Sequence, residues 1–240
     1  MSRVTTQTAA SRIRIQLVTW GILRLAAAAL IAAAVVAQLA RTLDNAVQAD
    51  QHLPTVIWNF FSFFTVESNV FAVIVLVIAA IRGWTAREER DPAWLAVALA
   101  AVSTFMIITG IVYNLLLRGI ELPQGQTVPW SNEVLHVVGP LFLLLDVLFA
   151  PRRRGLPWAA IGIVVMYPIV WAVYTLVRAN LVTNPGTGDP WWYPYPFLNP
   201  HVQDGYGGVA IYIVGIAIAF AVVASGVVAI GRRGDPLTAR

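Results

Sequence analysis

Six apolar runs, each long enough to cross a membrane, constrain this chain more than anything else in it. They lie at about 17–40, 57–81, 93–117, 131–150, 158–179 and 205–230. A hydrocarbon core of about 30 Å takes about 20 helical residues. Lipid offers no hydrogen-bond partners, so each backbone group must be satisfied internally, and the runs lack the alternation of a barrel strand. Composition agrees, with 58% hydrophobic and only 12% charged residues, where soluble domains carry roughly a quarter charged. The expected fold is an all-α integral membrane protein: six transmembrane helices in a single transmembrane domain over 1–240.

The loop charges give this bundle an orientation. Arg3, Arg12, Arg14, Arg82, Arg87, Arg90, Arg152, Arg153, Arg154, Arg232, Arg233 and Arg240 fall on one side, against Arg41, Arg118 and Arg178 on the other. By the positive-inside rule the Arg-rich side is cytoplasmic, and both termini with it. Arg24 lies one turn inside the first run and is expected to snorkel to the headgroups. All sixteen basic residues are Arg, spread between helices, so there is no basic stripe of the kind that holds nucleic acid. Abundant Ala and Arg without Lys point to a GC-rich, bacterial genome and hence a bacterial inner membrane.

Cys is absent, which excludes disulfides, thiolate metal ligands and thiol nucleophiles. A metal would need His52, His136 and His201 to converge, so neither metal nor cofactor is expected. Arg41 to Pro54 reads as a polar loop. The long stretch from Leu181 to Asp204 is rich in Pro, which precludes a helix. Its Trp191, Trp192, Tyr193, Tyr195 and Phe197 suit a membrane-interface lid or plug, and an interface belt is a simpler reading of them than a cofactor box. In the sixth run Gly207, Gly208, Gly215 and Gly226 would permit close helix approach.

Function is sought in polar residues that lie inside the spans, where they are costly and usually face the bundle interior. FFSFFTVESNVF, Phe60 to Phe71, carries Ser62, Thr65, Glu67, Ser68 and Asn69. On one continuous helix Ser62, Thr65 and Asn69 share a stripe, while Glu67 points away. The fourth run opens with Asn132, Glu133 and His136 on one face and carries Asp146 deeper. At 1.5 Å per residue Thr65 lies roughly 12 Å down the second helix and His136 roughly 9 Å down the fourth. A hydroxyl and an imidazole at similar depth are the parts of a nucleophile–base pair. In that arrangement Asn69 would orient a group or donate to an oxyanion, and Glu133 would act on the imidazole or cap the helix. Ser62, Tyr174 and Tyr195 are further candidates for assisting or binding substrate. Against this, a membrane-helix Thr commonly bonds its own i−4 carbonyl. Asp146 most simply pairs with Arg152, Arg153 or Arg154. A second functional class also fits: a transporter, channel or sensor with a proton or ion path through Glu67, His136 and Asp146.

FFTVESN in the second run, HVVGPLFLLLD in the fourth and YPYPFLNP before the sixth, in this order, resemble the androgen-induced-gene family of six-helix membrane proteins and especially its bacterial relatives. The resemblance extends over most of the chain. It implies an intramembrane hydrolase of a fatty acyl ester, because animal members cleave fatty-acid esters of hydroxy fatty acids with a Thr nucleophile and a His. Carried onto this sequence, those residues are Thr65 and His136, and the expected partner is a membrane lipid or fatty acyl ester.

Overall fold

The computed structural model describes residues 2–85, 90–120, 127–151 and 153–233, with side chains from residue 13 onward in the first helix. Arg3, Arg12, Arg87, Arg152 and Arg240, counted above for orientation, lie outside the described side chains. Among the described residues, six helices are long and apolar enough to cross a membrane. The helices are α1 (Ser2–Gln48), a short α2 (Leu53–Phe61), α3 (Phe64–Thr85), α4 (Ala93–Leu117), α5 (Pro129–Phe149), α6 (Ala160–Ala179) and α7 (Tyr206–Arg233).

Helix α4 is the most buried span and packs against α3, α5, α6 and α7, while α1 lies along α3. Ala28, Ile31, Ala34 and Val35 are buried on α1 and share one core cluster with Ala72 of α3, the helix against which α1 packs. Lipid tails are as apolar as these side chains, so close van der Waals contact between small residues holds the pair together. The four glycines of α7 named above have another environment than expected. A Cβ at Gly207, Gly215 or Gly226 would meet nothing within 4 Å, and only Gly208 lies against backbone, that of Gln203. The close approach is made by Gly110 of α4, where a Cβ would stand 2.9 Å from the Pro140 ring of α5.

Two boundaries differ from the sequence expectation. Helix α1 continues through the stretch expected to be loop and ends where Asp50 takes a left-handed φ of 50°. The residues of that stretch hold no Pro or Gly before Asp50, so nothing ends the helix earlier. The expected second span at 57–81 is not one helix. It stops at Phe61, turns through Ser62 and Phe63, and restarts at Phe64.

The end of the bundle near the Arg-rich segments is tied by a buried ion cluster. Asp146 is fully buried and accepts from Arg24 Nε at 2.7 Å, Arg24 Nη2 at 3.2 Å, Arg153 Nη2 at 3.0 Å and Trp20 Nε1 at 2.7 Å. The pairing of Asp146 with Arg153 matches expectation. Arg24 does not snorkel: it is 5% exposed and turns inward to Asp146. An inward carboxylate within reach outweighs a longer path to the headgroups, because a buried charge left alone is far costlier than a buried pair.

At the opposite end the segment between α6 and α7 folds into the protein instead of lying as a belt. Trp192, Tyr193, Tyr195 and Phe197 are all buried in the core, and Pro196–Leu198 form a single 3₁₀ turn. Phe63 meets both Trp192 and Tyr195 edge-on at 5.5 Å between centroids. This loop plugs the bundle, and its Tyr195 hydroxyl reaches the broken helix.

Candidate active site

The break between α2 and α3 has no Pro or Gly to cause it. Ser62 bends its own helix by bonding the Trp58 carbonyl at 2.8 Å, a back-bonding geometry that opens helices. Two aromatic residues of α6 then hold the turn. Tyr174 lies 3.1 Å from the Ser62 hydroxyl and accepts from Trp58, and Trp171 Nε1 donates to the Ser62 carbonyl at 3.2 Å. Non-helical backbone at membrane depth is tolerated only where protein satisfies it in this way.

The consequence falls on Thr65, the second residue of α3. Its N–H belongs to the first turn and has no helical acceptor. Instead it donates to the Tyr195 hydroxyl at 3.2 Å, and the Thr65 Oγ1 lies 3.3 Å from the same oxygen. At this position Thr65 has no i−4 helical carbonyl to bond, so the common resting place of a membrane-helix Thr is unavailable to it. Ser62 and Thr65 do not share a stripe, because the turn lies between them: Ser62 faces Tyr174 and Thr65 faces Tyr195. Burial pushes the Tyr195 phenol up to about 12, so it stays a neutral donor.

Thr65 and Tyr195 line an apolar cavity of about 100 Å³. Thr109 and Tyr113 of α4 supply its other hydroxyls, and Phe64, Ile108, Trp171 and Phe220 are among its walls. Ile169 of α6 and Ala217 of α7 also line it and are exposed. The cavity therefore lies next to the apolar flank of the bundle that α6 and α7 form.

His136 does not line this cavity and makes no hydrogen bond to Thr65. Its ring stacks on Tyr113, 3.9 Å between centroids and 23° between planes. The order is thus Thr65, cavity, Tyr113 ring, imidazole. Nδ1 lies 2.9 Å from the Asn132 carbonyl. A carbonyl only accepts, so Nδ1 carries the proton and Nε2 keeps its lone pair, the tautomer a base requires. Asn132 also donates to the Tyr113 hydroxyl.

The backbone around His136 is irregular. Val134–Val138 form one π turn of α5 and Tyr113–Leu117 another at the end of α4, a feature frequent at functional sites. Pro140 has no N–H to return to the preceding turn. The Leu135 and His136 carbonyls accept instead from Asn69 Nδ2 and Asn114 Nδ2, each at 3.3 Å. Asn69 Nδ2 also bonds the Thr65 carbonyl at 2.8 Å. Asn69 therefore bridges the helix of Thr65 to that of His136 and is not directed at an oxyanion.

The remaining candidates go elsewhere. Glu133 neither caps α5 nor meets the imidazole; it is exposed and pairs with Arg118 at 2.8 Å. Glu67 bonds the Tyr167 hydroxyl of α6. Among the described residues no hydrogen bond joins Glu67, His136 and Asp146 to one another, and no cluster of three metal-binding side chains occurs. Sequence reasoning left out Thr109, whose hydroxyl bonds Ser68 at 3.1 Å and lines the cavity. Its spacing of four from Tyr113, which places both on one helix face, was the available signal. No family model, curated protein or solved structure matches the chain.

Proposed function

We propose that this chain is an intramembrane hydrolase of a fatty acyl ester, with Thr65 as nucleophile and His136 as base. The observation that carries the proposal is the position of the Thr65 hydroxyl. It stands at the first turn of a helix that restarts within the membrane, beside the Tyr195 phenol, on an apolar cavity next to the flank of the bundle. An acyl chain would enter from the flank that α6 and α7 form without crossing water. The same Thr65 and His136 are singled out by the motifs that resemble the androgen-induced-gene family.

In this mechanism an arriving ester displaces the Tyr113 ring from between His136 and the cavity. Thr65 Oγ1 attacks the acyl carbonyl while its proton passes to His136 Nε2. The carbonyl oxygen takes the place of the Tyr195 hydroxyl at the Thr65 N–H, and Tyr195 donates to it. Donors aimed at developing charge in a dry site are the largest common source of rate. Collapse expels the alkoxide, which receives the proton from the imidazolium. Water, deprotonated by His136, then attacks the acyl–Thr65 ester; the C–O bond to Thr65 breaks, the imidazolium returns the proton to Thr65 Oγ1, and the acid is released. With the Arg-rich end cytoplasmic, the cavity lies towards the outer leaflet of a multi-pass protein, in keeping with a bacterial inner membrane. An ion path through Glu67, His136 and Asp146 has less support, since each is bonded into a separate local arrangement.

Fluorophosphonate labelling of the purified chain tests the proposal. Labelling is expected on Thr65, to be lost in Thr65→Ala and in His136→Ala. Equal labelling of wild type and both variants would overturn it.

A further inference from the structure

The cations at the plugged end of the bundle are not balanced alike. Arg118 is exposed and holds Glu133 at 2.8 Å. Arg178, in the last turn of α6, pairs with no carboxylate among the described residues. Its Nη2 donates to Asn59 Oδ1 of α2 at 2.7 Å, and its guanidinium lies 5.4 Å over the Trp192 ring. An Arg here has a simpler reading, since the C-terminal end of a helix favours a cation and a long side chain can snorkel to the headgroups. Snorkelling alone would leave the guanidinium loose in water, whereas an amide and an indole hold this one in place.

The remaining donors of Arg178 are accessible. Nε and Nη1 have no partner among the described residues, and neither is enclosed. Arg178 lines an open groove between the start of α2 and the residues that leave α6, together with Thr55, Trp58, Leu181 and Thr183. Trp58 is 61% exposed and Leu181 79% exposed, so much of the groove wall is apolar and uncovered. None of the described residues lining it is acidic. A guanidinium without a counter-charge, set beside two hydroxyls, suits a phosphate, and no carboxylate is there to hold the ammonium of a zwitterionic headgroup.

The surface that continues from the groove indicates what carries the phosphate. Val170, Tyr174 and Val177 are spaced four and three and share a face of α6, and Pro54, Trp58 and Phe61 have the same spacing on α2. Trp58 Nε1 donates to the Tyr174 hydroxyl at 2.8 Å, so the two faces adjoin. Phe61, Val170 and Val177 are exposed; Val170 and Val177 precede Arg178 on α6 and so lie further into the span. An apolar seam within the membrane and a cation at its edge match acyl chains beneath a phosphate. A soluble anion would use the cation alone.

We propose that this groove binds an anionic phospholipid, with its phosphate on Arg178 and its chains along the seam between α2 and α6. Asn59 and Trp192 position the guanidinium. The site does not depend on Thr65 acting as a nucleophile.

The test uses the full chain in detergent micelles and a phosphatidylglycerol with a diazirine on its headgroup, the crosslinked residues being mapped by mass spectrometry. Crosslinks are expected within residues 54–58 and 181–183, which border the groove. Unlabelled phosphatidylglycerol should suppress them, and phosphatidylcholine or glycerol phosphate should compete about tenfold less well or worse, the scale of one charge-assisted hydrogen bond. Arg178→Gln should lower the yield at these residues to a similar degree. Leu181→Asp sets a carboxylate beside the guanidinium from an exposed position and should do the same, so the proposal stays testable if Arg178→Gln does not fold. Arg118→Gln should leave the yield unchanged. The absence of crosslinks at these residues would overturn the proposal. So would equal competition by phosphatidylcholine, a yield that survives Leu181→Asp or a folded Arg178→Gln, or one that falls equally in Arg118→Gln. Equal competition by glycerol phosphate would assign the groove to a soluble phosphate ester and overturn the lipid.

Discussion

The two ends of this bundle solve the same problem in opposite ways. At the Arg-rich end full charges are buried, and Asp146 receives both Arg24 and Arg153 in one closed cluster. At the other end polarity is mostly neutral: hydroxyls, amides and backbone groups freed by a helix break and two π turns. A saturated ion cluster has nothing left to offer a ligand, and it locks helices together. Neutral groups around open backbone leave donors and lone pairs unused, and they border the cavity. Stability and candidate chemistry are thus separated along the membrane normal.

The largest expected effect breaks the locked end. Asp146→Asn leaves two buried guanidiniums without their counter-charge, and removing one partner of a buried pair costs about 3–5 kcal/mol. Thermal unfolding in micelles should show a large loss, while any labelling by fluorophosphonate in the surviving folded fraction persists. Should Thr65→Ala destabilise the protein as much as Asp146→Asn does, the division between the ends fails. It is expected to lose labelling at a cost of about 1 kcal/mol or less, since a single neutral hydrogen bond is removed.

Intermediate effects belong to the backbone repairs. Asn114→Leu strips the donor from the His136 carbonyl, which Pro140 cannot replace. Leaving such a group unsatisfied costs about 1–3 kcal/mol, read again as a fall in unfolding temperature. Alkaline pH gives a finer test of the plug. The Tyr195 phenol is held up to about 12 by burial, while its unfolded value is about 10. Below pH 10 its contribution to stability is complete; it is lost as pH rises from about 10 to 12, where the unfolded chain releases the proton first. Tyr195→Phe should flatten that part of the alkaline decline in thermal unfolding. The smallest effect is expected at Glu133→Gln, whose exposed pair with Arg118 should leave the unfolding temperature unchanged.

How far the site was legible depended on the kind of signal. Thr65, His136 and Asp146 stood out because an ionisable or polar group in an apolar run is conspicuous without any knowledge of its neighbours. Their partners were not conspicuous. Tyr195 could be singled out, but its loop looked like an interface belt, because aromatics next to Pro suit a membrane surface as well as a plug. Arg24 lay near enough to the headgroups to make snorkelling the simpler reading, and only the presence of Asp146 across the bundle reverses it.

The sequence by itself determined that the chain is helical and long enough to cross a membrane six times, because hydrocarbon leaves the backbone no alternative. Tertiary structure decided where the helices yield. The break after Phe61 depends on Tyr174 and Trp171 satisfying the freed groups from a helix more than a hundred residues away. The π turn at His136 depends on Asn69 and Asn114 in the same way. Long-range donors make an irregular backbone affordable in lipid, and no local pattern records where they will arrive.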